Sequence, residues 1–362
     1  MRSLRFPASA LLAALVLTGC GATSTPVRTA TQPSQSVTPS ATPTPTCAHF
    51  SPLTGTCSNA NAPVLIVKID DLGEARPQFH LNQADMVLVE PVEGGLTRLF
   101  AVYNSTFPDT VGPIRSARIT DTDLAPAFGD PLFAYSGSQG KLVPYLRATR
   151  MQMVGAPQGG LGYRRLTDRP APHNYVADVA TLLSRVSDSS TARLASASYW
   201  AVADTGTARP ESSTAIISAT VAWPAAQKSF TWDQVAKRWN ISVYGNPLLT
   251  EIDNAGATER AHTTNLVIME SMLQNSEFGD KFGARTPYPQ TIGTGKGMVL
   301  IDGSAINATW KRASKNDLPH WYGPDGREIQ LRPGNTWWLI VTSLRNVSLA
   351  ASTGAAETTT AR

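Results

Sequence analysis

Residues 92–118, VEGGLTRLFAVYNSTFPDTVGPIRSAR, carry Arg98 in an apolar strand-like run and then Arg115 and Arg118, three apart, behind Gly112-Pro113. Guanidinium forks hold phosphate or carboxylate by paired, charge-assisted hydrogen bonds, so the chemistry on offer is anion recognition. Proline is favoured at the first helical position. The spacing therefore predicts a helix from near Pro113, with Arg115 and Arg118 on one face of its first turn. The helix field disfavours cations there by about 0.3–1 kcal/mol each, so something negative must compensate. Either Asp121, Asp123, Glu90 or Glu93 folds back to pair with them, or an external phosphate or carboxylate sits where backbone N–H groups and guanidiniums converge. A solvated face is the remaining reading.

A second constellation is TDRPAPHNYVAD, 167–178. Its prolines hold Arg169 and His173 in extended chain, and a helix is predicted to start near Asp178. Such a segment forms a pocket rim, or a loop whose histidine merely caps or pairs. The anion-binding candidates are thus Arg98, Arg115, Arg118, Arg169 and His173, with Glu93 beside them.

Other chemistries find less support. GSQG at 137–140 lacks the spacing of a nucleophile elbow, and GTGKG at 293–297 lacks the flanking residues of a phosphate loop. A Ser136 or Ser138, His173 and Asp178 arrangement can be written down, but nothing in the sequence brings the three together. No Cys/His cluster has zinc-ligand spacing, so neither a metal nor a cofactor is expected. Trp310, Trp321, Trp337 and Trp338 fit a sugar-stacking face or, at strand spacing, a core, and the core reading is preferred.

The elements that must position these residues alternate in type. VLIVKID, DMVLVEPV, TRLFAVYN and PLFAYSGS read as strands, with Glu93-Gly94-Gly95 as a hairpin turn. GKLVPYLRAT and VADVATLLSRV read as helices. An α/β domain follows, a mixed sheet with packed helices, over residues 47–200. Beyond it, IISATVAW, KSFTWD, RWNISVY, NLVIME, GMVLIDG, INATWKR and TWWLIVT are short strands, with a turn at Gly-Pro-Asp-Gly 323–326. They predict a smaller β-rich domain over 201–345, and 346–362 reads as a loose tail. The ordered part, about 290 residues, is long for one domain.

The chain opens with Arg2 and Arg5, an apolar run from Ala8 to Leu17, and Leu17-Thr18-Gly19-Cys20. That is the layout of a secretory signal peptide (1–19), and the small residues before Cys20 resemble the bacterial lipobox, so Cys20 is expected to be acylated and to hold the protein on the extracytoplasmic face of the cell membrane; the other reading is an ordinary secretory signal cleaved nearby. Residues 20–46, rich in Ser, Thr and Pro, read as a disordered tether reaching up to roughly 80 Å; O-glycosylation there is open. Cys47 and Cys57 are left as a local pair, and outside the cytoplasm a disulfide between them persists. The net charge of +4 with no basic run suits an anionic wall or lipid surface better than nucleic acid.

PLTG at 52–55, ARPQ at 75–78, LNQADMVLVEPVEGGLTRLFAVY, GPIRSAR and APHN together resemble the YerB-like lipoprotein family of bacteria, over most of residues 52–345. The resemblance implies an N-terminal α/β domain and a smaller C-terminal domain on a lipid anchor, with no assigned biochemical role. Its motifs fall on Arg76, Glu90, Glu93, Gly94, Gly95, Thr97, Arg98, Arg115, Ser116, Arg118 and His173. The chain departs from the pattern at Asp70-Asp71, where relatives commonly carry an Asn, so the resemblance gives that pair no role. Two functions stay open: a non-catalytic lipoprotein binding an anionic envelope ligand, or a phosphotransferase or hydrolase acting on a lipid-linked phosphosugar. The second draws on a loose likeness to the LytR-CpsA-Psr ligases, a strand followed by arginines.

Overall fold

The computed structural model describes residues 47–58, 62–185, 199–200, 202–203, 207–208, 210–253, 255–280 and 282–351. The signal, Cys20, the tether and residues 352–362 lie outside them. Among the described residues, one 16-stranded sheet draws strands from both halves of the chain. Thr97–Tyr103 lies between Leu65–Asp70 and Met86–Pro91, antiparallel to both. Met86–Pro91 then pairs in parallel with Thr336–Val341, and that strand with Asn265–Glu270, so the two halves share their backbone ladder. Gly293–Ile301, Ser304–Arg312, Thr214–Trp223, Ala226–Asp233 and Arg238–Val243 extend the sheet on that side.

The central strands read as unbroken apolar runs because both faces are covered. Val67, Ile69, Val87, Val89, Leu99 and Ala101 pack into one core. Ile66, Met86, Leu88, Phe100 and Val102 pack into the other. The expected turn at Glu93–Gly95 joins Met86–Pro91 to Thr97–Tyr103, with Gly94 at φ 69° and Gly95 at φ 73°, a region glycine enters without steric cost. The seven strands read in the second half are present.

Three expectations need correction. The helices are too short to form a packed layer: Asp121–Leu124, Val143–Arg147 and Val179–Ser184 are the α-helices among the described residues. Nor does a helix begin at Pro113. Residues 113–118 are extended, because neighbouring strands take the backbone groups a helix would use. Asp70 N–H donates to Pro113 O, Arg115 N–H to Lys68 O, Ser136 N–H to Arg115 O and Ala117 N–H to Gly137 O. The tail, finally, is loose only in expectation up to residue 351: Val347–Ala351 pairs antiparallel with Thr214–Trp223.

The tryptophans are core. Trp310, Trp321, Trp337 and Trp338 are all buried. GTGKG is part of the strand Gly293–Ile301, and two of its glycines admit indoles. A Cβ on Gly297 would stand 2.5 Å from the Trp321 ring, and one on Gly295 2.7 Å from that of Trp310.

Candidate functional site

Strand alternation sorts the charges at the ends of the three central strands. Arg98 stands opposite Asp70 on one side and Glu90 on the other. Lys68, two residues before Asp70, faces the same way. One step along each strand, Asp71 and Thr97 point to the opposite face, where Thr97 Oγ1 donates to Asp71 and Lys228 Nζ lies 2.7 Å from it.

Behind Arg98 is a fully buried cluster. Lys68 Nζ donates to Glu90 and, at 2.8 Å, to Asp121 Oδ1. The other Asp121 oxygen accepts the Arg118 N–H at 2.7 Å, which fixes the coil leading into Asp121–Leu124. Burial pushes Glu90 up to about 7, against the pull of Lys68. Its second oxygen has no hydrogen-bond partner among the described residues.

In front of the cluster is a cleft of about 650 Å³ lined by Arg98, Arg115, Arg118, Asp70 and Glu93. Arg118 forks onto Glu93, its Nε at 2.7 and 3.0 Å and its Nη2 at 2.8 Å, and Thr286 Oγ1 donates to the same carboxylate. Burial acts to raise the Glu93 pKa, but Arg118 and Thr286 outweigh it and hold the group below its usual value. Arg115 is more loosely held. Its Nε is 3.4 Å from Asp70 Oδ2 and makes no hydrogen bond, while His173 Nδ1 approaches the same oxygen at 2.7 Å.

Arg98 differs from both. It is 8% exposed, it donates to the Ser116 carbonyl at 2.9 Å, and no carboxylate among the described residues reaches ion-pairing distance. Burial, then the charges of Arg118 and Arg115, bring its pKa down to about 10. Each of those cations acts on it more strongly than Glu93 or Asp70.

The sequence candidates are therefore only partly brought together. Arg98, Arg115, Arg118 and Glu93 converge, and His173 joins them through Asp70. Arg169 does not. It pairs with Glu251 at 2.7 Å and donates to the carbonyls of Ala75 and Pro77, so it clamps its loop against other chain segments instead of lining the cleft. The Ser–His–Asp arrangement is not assembled either. Ser136 and Ser138 line the cleft, but His173 bonds Asp70, and Asp178 caps the helix Val179–Ser184 by accepting the Thr181 N–H. Of the compensating carboxylates expected for Arg115 and Arg118, Glu93 and Asp121 engage Arg118, the latter at its backbone. Asp123 accepts from Tyr288, and Glu90 serves Lys68.

Asp70-Asp71, to which the resemblance gave no role, anchors both faces. Sequence reasoning missed Lys68, Lys228 and the hairpin that supplies Thr286. A lysine inside VLIVKID was the available signal, since a charge on a strand buried on both faces requires a carboxylate. Thr286 carried none.

Residues 53–192 match the family model described as "Protein of unknown function (DUF3048) N-terminal domain", and residues 219–338 match its C-terminal domain. The chain is 27% identical over 311 residues to a Bacillus subtilis (strain 168) protein named "Putative lipoprotein YerB", covering 81% of this chain and 85% of that one. The crystal structure of the YerB protein from Bacillus subtilis superposes with a TM-score of 0.69 at 23% identity, over 83% of this chain and 99% of that one, a likeness of fold. With both of its domains matched in order, the chain belongs to the DUF3048 family of proteins of unknown function.

Proposed function

We propose that the protein is a membrane-anchored lipoprotein on the extracytoplasmic face that binds an anionic cell-envelope ligand in the cleft at Arg98. The observation that carries this reading is Arg98 itself. Leaving a buried guanidinium without a counter-charge, beside two others, is costly, and an anion entering the cleft removes the cost. Arg115, held only by the longer contact to Asp70, can turn toward the same anion. The anchor rests on Leu17-Thr18-Gly19-Cys20 and on a relative whose name carries the word lipoprotein. Catalysis on the ligand gains no specific support, because His173 and Asp178 are engaged elsewhere.

The test is thermal unfolding of the purified protein with and without pyrophosphate. A ligand bound only by the folded state raises stability by about 2.7 kcal/mol at a hundredfold excess over Kd. The parent is expected to show a saturable rise in Tm, and Arg98→Met to lack it. A parent indifferent to pyrophosphate, or an Arg98→Met variant that responds as the parent does, defeats the proposal.

A further inference from the structure

We infer that the ligand of this cleft is an amphiphile, a phosphate or pyrophosphate ester of a long aliphatic alcohol. Its head would lie at Arg98 and its chain past Leu142 and Phe278 to Phe282, in the turn between the paired strands Leu273–Gly279 and Arg285–Pro289. The inference rests on the anion-site reading and adds what the rest of the cleft is for. Leu96, Ile119, Leu142 and Phe278 line it together with the arginines, and all but Leu96 are buried. A free phosphate is the size of a few water molecules, each claiming about 30 Å³, so it leaves most of the roughly 650 Å³ unfilled.

The hairpin forms its own two-stranded sheet, apart from the large one. Beside its turn it is held by Thr286 on Glu93 and by Phe278, whose ring meets that of Tyr145 edge-on at 5.3 Å. At its tip, Asp280 Oδ1 accepts the N–H groups of Phe282 and Ala284, both at 2.9 Å, which sets the turn. Phe282 lines the cleft while remaining 84% exposed. A large apolar side chain held out at the mouth of a charged cleft fits a ligand with an apolar portion beyond its head. Charge complementarity sets the order. Arg98, Arg115 and Arg118 stand together at the sheet end of the cleft, which places the anionic head there.

Titration calorimetry of the full protein with dodecyl phosphate, inorganic phosphate and dodecyl maltoside, each below its micellar concentration, tests this. Dodecyl phosphate is expected to bind at least about tenfold more tightly than phosphate, since each buried methylene adds to the affinity. Dodecyl maltoside should give no saturable heat. Phe282→Ser, at an exposed position, should weaken dodecyl phosphate severalfold and leave phosphate unchanged. Equal affinity for phosphate and dodecyl phosphate, or an unchanged Phe282→Ser variant, overturns the amphiphile and spares the anion site. Binding of dodecyl maltoside as tight as that of dodecyl phosphate overturns the placement of the head. If neither phosphate nor dodecyl phosphate binds, the anion site fails as well.

Discussion

Arg118 lays its guanidinium fork on Glu93, Nε at 2.7 Å from one carboxylate oxygen and Nη2 at 2.8 Å from the other. The pair joins the turn after Met86–Pro91 to the coil ahead of Asp121–Leu124, and Thr286 adds the second half of the chain to the same carboxylate. Three arginines grouped by sequence thereby part company. Arg118 is saturated, Arg115 has one long contact to Asp70, and Arg98 has no carboxylate at ion-pairing distance among the described residues. A brace and a receptor stand side by side.

This division predicts opposite outcomes for two substitutions. Arg118→Ala leaves Glu93 largely buried and unpaired, and should cost about 3 kcal/mol in urea unfolding, the low end for a buried pair because Arg118 is partly exposed. Arg98→Met removes a cation that two like charges oppose and forfeits one hydrogen bond to Ser116 O, so the loss should be about 1 kcal/mol or less. Equal losses in the two variants would make Arg98 a structural group.

How much of this was legible depended on how local each signal was. The strands at 64–103 and the Glu93–Gly95 turn were readable because alternation, β-branched residues and a Gly-Gly pair all act within a few residues. The coil at Pro113–Arg118 was not. Its local pattern fits a helix start, and what overrides it is the ladder to Lys68, Asp70, Ser136 and Gly137, whose register no local pattern reveals. The same holds for the site. Its arginines and Glu93 stood out by type and spacing, whereas Thr286 and Phe282 come from about 170 residues away and became relevant only through the fold.

The GTGKG stretch tests a purely structural reading. Gly297→Val places a branched side chain where a Cβ alone already meets Trp321 at 2.5 Å and the Ile268 carbonyl at 2.7 Å. Overpacking of this kind should lower stability by about 1–3 kcal/mol, read as a reduced urea midpoint, without changing pyrophosphate binding to the protein that remains folded. A binding defect at full stability would instead give GTGKG a part in anion binding.

Localisation is tested at Cys20. Substituting Cys20→Ser removes the thiol that the proposed lipid anchor requires. Fractionation should find the parent with membranes and the variant in the medium. If both partition with membranes, the anchor lies elsewhere.

Glu90 gives the cluster behind Arg98 a pH signature. Its carboxyl has a folded-state pKa of about 7 against an ordinary 4.5, because burial resists ionisation more than Lys68 favours it. Between those values the folded state holds a proton that the unfolded chain has released, so stability falls as pH rises through that window. The contribution is complete below about 4.5, declines by up to about 1.4 kcal/mol per pH unit, and is gone above about 7. Glu93 carries the opposite sign. Its lowered pKa adds stability above the ordinary carboxylate range that is lost on acidification. From pH 5 to pH 8 the stability of the parent relative to Glu90→Gln, read by urea unfolding, should therefore decline, since the amide cannot ionise and Lys68 retains Asp121, while the lowered pKa values of His80 and His262 act equally in both. A decline of the same slope in the variant would assign it to another group and leave Glu90 ionised throughout.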